Sequence, residues 1–260
     1  MDALRFDHIS FTYGSRHFSL SDISFALPER SFTAVLGVNG SGKTTLLRLA
    51  SGILVPSHGA ITVLGDDALQ MERRALARRL AFVPQHPPPA MGTTVTEYVL
   101  LGRVPYARGL GFTSPHDLES VHTAMEITDC LAYADAFLAE LSGGELQRAM
   151  VARALAQEPR VLLLDEPNSH LDIAHQLALF HALQEWQRRT GGTVVASTHD
   201  LNLASMFSSH VVVLNAGTIA AAGTPADVLS PAMIERVFSV HADVQPAAYG
   251  AAPAVHVLPD

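Results

Sequence analysis

Eight residues, Gly37-Val38-Asn39-Gly40-Ser41-Gly42-Lys43-Thr44, follow the pattern G-x-x-x-x-G-K-[ST] at every fixed position. Glycines in such a loop let the backbone curl into a nest of N–H donors around an anion. A helix that starts at its end adds the positive end of its dipole. In this pattern the lysine, Lys43, reaches β- and γ-phosphates and the Thr44 hydroxyl ligates Mg²⁺. The flanks agree. Phe32 to Leu36 is an apolar run that leads in as a buried strand, and Leu46, Leu47, Leu49 and Ala50 lead out as a helix that Gly52 ends. The sequence therefore predicts binding of a nucleoside triphosphate.

Other residues have the chemistry to act on that ligand. Val161 to Leu164 is wholly apolar and runs into Asp165 and Glu166. Continuous apolarity fits a parallel strand buried on both faces, and ligands of such sheets bind at the carboxyl ends of strands. Asp165 is placed to hold Mg²⁺, directly or through water, and Glu166 to polarise an attacking water. Thr193 to Ser197 reads as a second buried strand, ending at His199, whose imidazole could contact the γ-phosphate. Leu141-Ser142-Gly143-Gly144-Glu145 opens a helix to about Gln157, and its small residues present N–H groups at the helix start. Tyr13, at the end of the first strand, is either a turn-flanking aromatic or a surface for a purine base.

These residues must be positioned by alternating strands and helices. Leu4–Tyr13 and Phe18–Leu27 read as strands joined at Gly14-Ser15, and Ala60–Leu64 as a short strand. Glu72–Leu80 reads as a short helix whose Arg73, Arg74, Arg78 and Arg79 form a solvated face. Ala81–Pro84 is a strand that runs into Gln85, and the prolines that follow cannot continue a ladder. From there to Glu140 short helices dominate. Thr94-Val95-Thr96-Glu97 has capping-box spacing with Gly102 closing that helix, and Ser114-Pro115 starts another with Leu118, Val121 and Met125 on one face. The loop Arg103–Phe112 is rich in Gly, Tyr and Arg. Ser169-His170-Leu171-Asp172 is a turn in which Asp172 caps a helix to about Arg189. Asp200 begins a further helix. Val211–Asn215 and Thr218–Ala222 form a hairpin about Ala216-Gly217, and Ser230-Pro231 starts a last helix. The tail from Ala242 is expected to be weakly structured.

Composition narrows the function classes. The 260-residue chain is long enough for a large core, and no apolar run reaches the ~18 residues of a membrane span. A formal net charge of −8 argues against a broad nucleic-acid footprint. The N-terminus lacks the regions of a signal peptide. The single cysteine, Cys130, excludes an intrachain disulfide and reads as a small buried hydrophobe. Thirteen histidines are scattered without ligand spacing, so no structural metal site is expected.

Taken together, the motifs resemble those of ABC-transporter ATPase subunits along the whole length. The resemblance makes Tyr13 the A-loop aromatic, Gly37–Thr44 with Thr45 the Walker A segment, and Gln85 the Q-loop glutamine. Leu141–Glu145 becomes the signature, Asp165-Glu166 the end of Walker B, Asp172 the D-loop aspartate and His199 the switch histidine. The signature ends in Glu145 where many members have Gln. The interval from Lys43 to Asp165 suits the compact transporter type and leaves no room for the coiled coil of DNA-repair relatives.

The resemblance implies an α/β fold: a P-loop NTPase core with a mostly parallel sheet, an N-terminal antiparallel portion and an inserted helical subdomain. Residues 1–85 and 141–240 would form the core, 86–140 the helical subdomain facing a permease, and 241–260 a tail. It implies ATP and Mg²⁺ as ligands, with Thr44, Gln85 and Asp165 at the metal. Glu166, His199, Gln85 and Lys43 would be the catalytic set. Ser142, Gly143, Gly144, Glu145 and Asp172 would meet the nucleotide of a second copy in a head-to-tail homodimer. Thr198-His199-Asp200-Leu201-Asn202-Leu203-Ala204 and Leu101-Gly102-Arg103-Val104-Pro105-Tyr106 resemble importers for iron–siderophores, haem and cobalamin. That implies a permease partner, an indirect binding-protein partner, no nucleic acid, and a place on the cytoplasmic face of the membrane. The alternative is a soluble ABC-type ATPase of iron–sulfur-cluster assembly.

Overall fold

The computed structural model describes residues 1–14, 18–86, 92–107, 113–169, 171–245 and 252–259. His170, the prolines after His86 and the end of the Arg103–Phe112 loop lie outside them. In chain order the strands and helices are β1 (Asp2–Thr12), β2 (Ser19–Pro28), β3 (Phe32–Leu36), α1 (Lys43–Ala50), β4 (His58–Val63), β5 (Asp66–Asp67), α2 (Arg73–Ala77), β6 (Leu80–Val83), α3 (Val95–Leu100) and α4 (Pro115–Ile127). Then follow α5 (Gly143–Ala156), β7 (Val161–Asp165), α6 (Ile173–Thr190), β8 (Thr193–Thr198), α7 (Leu201–Phe207), β9 (His210–Asn215), β10 (Thr218–Gly223), α8 (Pro225–Val228), α9 (Pro231–Phe238), β11 (Ala242–Gln245) and β12 (Ala254–Val257). The chain packs as two units, Met1–Gln70 with Thr193–Asp260, and Met71–Gly192.

In the first unit, β2, β1, β4 and β5 form an antiparallel sheet. Beside it, β3 pairs in parallel with β8 and with β9, and β9 turns antiparallel into β10. Every residue of β3 and β8 is buried, as a strand covered on both faces requires. Ala34, Leu36, Val211 and Val213 from these strands pack with Leu201, Ala204, Met233, Ile234 and Val237 from α7 and α9.

The tail departs from the expectation of weak structure. Residues β11 and β12 form an antiparallel ribbon, and Ala242 and Val255 belong to the buried core. The ribbon is held by α7: Asn202 Nδ2 donates to the Val255 carbonyl at 3.0 Å, and the Val255 N–H donates back to Asn202 Oδ1 at 2.8 Å. Ser205 Oγ donates to the Pro253 carbonyl. One amide side chain thus satisfies both backbone groups of Val255, as a neighbouring strand would.

In the second unit β6 and β7 pair in parallel, and all five residues of β7 are buried. Leu80 belongs to β6, not to the preceding helix, which ends at Ala77. Among its described residues, the segment read as a helical insertion carries α3, α4 and three 3-10 turns. Thr94 caps α3 with the full capping box its spacing predicts, and Ser114, predicted as an N-cap, also closes a box with Asp117 at the start of α4. Leu118, by contrast, points away from the buried face of Val121 and Met125 and is 55% exposed. Gly102 does not close α3. The chain continues as a 3-10 turn, Leu101–Tyr106. A Cβ at Gly102 would sit 2.2 Å from the Arg153 carbonyl oxygen, so the glycine is there for close approach to α5. The arginines of α2 are not uniformly solvated: Arg78 Nε donates to the Pro105 carbonyl at 3.0 Å and its guanidinium lies over the Tyr106 ring. Cys130 is buried and free, among Thr128 and Tyr133.

Candidate functional site

The phosphate loop lies in the first unit. It leaves β3 at Gly37 and enters α1 at Lys43, with Gly42 as N-cap at φ +111°, a conformation side-chain-bearing residues avoid. Its hydrogen would be replaced at a cost: a Cβ would meet Leu20 at 2.6 Å and the Phe18 ring at 2.8 Å. No side chain caps α1 and no acidic residue stands in its first turn. The helix start is thus open to an anion, with no carboxylate in its own first turn to repel it. Lys43 is 5% exposed, and its Nζ donates to the carbonyls of Gly37 (2.8 Å) and Val38 (3.3 Å), so it arches back over the loop. Among the described residues Ser41 Oγ is buried without a hydrogen-bond partner. An orphaned hydroxyl, an uncapped helix start and an arched ammonium fit a bound polyphosphate. Asn39 and Gly40 are exposed at the loop tip, and Val38 and Thr44 are half-buried.

Tyr13 stands in the same unit and its hydroxyl is 3.4 Å from Thr45 Oγ1 on α1. Its ring meets Phe11 edge to face at 4.8 Å. The open alternative for Tyr13 thus gains a specific neighbour: the aromatic lies beside the helix that the phosphate loop starts. His199, at the end of β8, is exposed. The next residue, Asp200, caps α7 by accepting from the N–H groups of Asn202 and Leu203, each at 2.9 Å, and so fixes the chain as it leaves the histidine.

The second unit carries the other residues. Asp165, the last residue of β7, is 1% exposed. Glu166 follows at φ +46°, unusual for a residue with a side chain, and such strain collects at functional turns. Gln85 Nε2 donates to Glu166 Oε2 at 3.1 Å. Two residues 81 positions apart, predicted separately, are therefore in contact. Ser142 and Glu145 close a capping box at the start of α5, and Asp172 caps α6 by accepting from the His175 N–H at 2.9 Å. Ser142, Gly143, Gly144, Glu145, Leu171, Asp172, His175 and Arg148 line a cavity of about 350 Å³. The Ser142–Glu145 segment and Asp172 thus share one surface. Within it the Ser142 hydroxyl and N–H hold the Glu145 carboxyl below its usual range, helped by Arg148 and His175. The His175 N–H and ring do the same for Asp172.

Arg148 was not among the sequence candidates. Its spacing of three from Glu145 is the signal that could have found it, since i and i+3 share a helix face. Among the described residues its Nε is buried without a hydrogen-bond partner, while Nη1 is 3.5 Å from Asp129.

Comparison with known proteins gives a consistent answer. The family model for ABC transporters matches residues 20–169. The iron(3+)-hydroxamate import ATP-binding protein FhuC of Bacillus subtilis is 35% identical over 94% of this chain and 90% of its own length. The hemin import ATP-binding protein HmuV of Rhizobium meliloti is 42% identical over 84% of this chain and 85% of its own. A solved structure of an inward-facing ABC transporter, assigned to the metal-chelate type, superposes with a TM-score of 0.86 at 29% identity. It covers 100% of this chain and 98% of that one. Motifs, fold and likeness converge: the chain belongs to the ABC transporter family, as one of its nucleotide-binding, ATP-hydrolysing subunits.

Proposed function

We propose that this subunit powers the import of an iron chelate, an iron–siderophore complex, through a separate membrane permease. The observation that carries the reading is the full-length likeness to the metal-chelate-type transporter, at a TM-score of 0.86, with the C-terminal ribbon included in the match. Relatives named for iron(3+)-hydroxamate and ferric enterobactin transport support the cargo class. The 42% identity to a hemin import protein favours haem as the second reading.

In this reading two copies pair head to tail around two ATP molecules. Tyr13 stacks on the base, and Gly37 to Thr45 hold the phosphates. Ser142, Gly143 and Gly144 of one copy donate to the γ-phosphate held by Lys43 of the other, with Glu145 and Asp172 alongside. Thr44, Gln85 and Asp165 carry oxygens of the kind Mg²⁺ prefers and would hold it, and the ion would supply charge neutralisation to the phosphates. Glu166 polarises the attacking water, its carboxylate oriented by the Gln85 amide. His199 contacts the γ-phosphate. Phosphoryl transfer depends on positioning and charge stabilisation, so dividing the donors between copies makes the site complete only on closure. ATP then favours closure through its differential affinity, and hydrolysis reverses the bias.

The subunit would sit on the cytoplasmic face of the membrane by attachment. Among the described residues no helix is long and apolar enough to cross it. Residues 86–140 would take the permease contact, and a binding protein would act through that permease. To test this, tagged Glu166→Gln chain with ATP is recovered from gently solubilised membranes. A multi-span permease is the expected companion. Reproducible recovery of soluble proteins alone would overturn the import reading in favour of an assembly ATPase.

A further inference from the structure

The Ser142 hydroxyl carries one proton, and the chain itself uses it. Glu145 Oε2 accepts from Ser142 Oγ at 2.7 Å and from the Ser142 N–H at 2.8 Å. The Glu145 N–H returns a bond to Ser142 Oγ at 3.4 Å. The reading above gives the same Ser142 donors to the γ-phosphate of a second copy. A carboxylate oxygen and a phosphate oxygen are both anionic acceptors, and one hydroxyl proton serves only one of them.

We propose that Glu145 is a built-in competitor for the γ-phosphate, holding the Ser142 donors in the ATP-free chain and setting the ATP concentration at which two copies close. The inference rests on Ser142 being the donor that faces the partner's nucleotide. Closure exchanges one acceptor for another: the Glu145 carboxylate releases Ser142 and a phosphate oxygen takes its place. No covalent bond changes. The carboxylate opposes closure twice, by occupying the donors and by like charge toward the incoming phosphate. The charged groups around the cavity do not cancel it freely, since Arg148 also pairs with Asp129 (3.5 Å) and His175 with Asp172 (2.9 Å).

Glutamine separates this role from helix capping. A Gln at the third helical position completes a capping box as Glu does. Its neutral oxygen holds the donors about half as strongly and carries no like charge. The comparison is made in chains that also carry Glu166→Gln, so that hydrolysis does not erase closure. Mg·ATP is titrated and the dimer fraction read by sedimentation velocity. Adding Glu145→Gln is expected to lower the ATP midpoint about tenfold, the difference between a charged and a neutral pair of bonds. Binding of a fluorescent ATP analogue to dilute monomer is measured alongside, so that a change at the chain's own phosphate loop is separated from a change in closure. Glu145→Ala, which frees the donors but loses the cap, should move the midpoint in the same direction, and Ser142→Ala should raise it. An equal or higher midpoint with Glu145→Gln, in a parent that does dimerise, would overturn the competitor role alone. A parent that fails to dimerise at any ATP concentration would refute the two-copy reading, and the inference with it.

Discussion

Replacing Arg103 with leucine should cost the second unit about 3–4 kcal/mol, the lower part of the range for breaking a buried ion pair. The residue is 5% exposed, and its guanidinium makes three short bonds: Nε to Asp117 at 2.7 Å, and Nη1 to Glu158 and to the Ala156 carbonyl, each at 2.8 Å. It also lies 4.1 Å from the centroid of the Tyr106 ring. Asp117 is 15% exposed and is left without its cation, whereas Glu158, at 43%, regains water more cheaply. Lysine should recover only part of the loss, because an ammonium cannot fork to two carboxylates. Trp186, the chain's single tryptophan, is buried in the same unit, so its fluorescence during urea unfolding reads the right region. Acid gives an independent check. The Ser114 hydroxyl first, and Arg103 second, push the Asp117 carboxyl down to about 2 from its ordinary 3.8. A carboxyl depressed on folding stabilises fully above its unfolded value, and that stabilisation is lost as pH falls through the folded value. Stability should therefore fall between about pH 4 and pH 2 in the parent, less so in Arg103→Leu, and least in Asp117→Asn. A loss below about 1 kcal/mol for Arg103→Leu, with no coupling to Asp117→Asn in a double-mutant cycle, would refute the clamp.

Two further outcomes follow from other contacts. Glu166→Gln should retain ATP binding and hydrolyse ATP at least ~100-fold more slowly, read by phosphate release; near-parental turnover would remove Glu166 from the chemistry. Asn202→Ala should strip both backbone partners from Val255 and raise amide exchange across Ala254–Val257 by roughly 10-fold or more, while unchanged protection would show that packing alone holds the ribbon.

The contrast between what the sequence shows and what it hides is physical. The phosphate loop is legible because each position answers to one chemical demand. The capping box at Thr94 is legible because cap and partner are three residues apart, and the cap at Ser114 because a proline follows it. The ribbon β11–β12 was not, since its Ala, Pro and Gly residues suggest weak structure while its support comes from Asn202, 53 residues upstream. Gly102 misled for the same reason. A glycine after a helix usually ends it, and nothing local reveals that the Arg153 carbonyl will need the space. Arg103, read for the composition of its loop and for the likeness of Leu101–Tyr106 to importers, owes its structural role to Asp117 and Glu158 on other elements.

The pairing of β3 has a consequence for how the chain is made. Its two parallel neighbours, β8 and β9, begin at Thr193 and His210. At translation rates of ~5–20 residues per second, β3 leaves the ribosome roughly 8–30 s before either neighbour exists. Five buried apolar or polar-capped residues, Phe32 to Leu36, must wait that long without their sheet. The unit Met71–Gly192 is continuous in sequence and completes during that interval. β1 finds β2 and β4 within the first 63 residues, whereas β3, made between them, is among the last strands to be paired and is the one that needs shielding during synthesis.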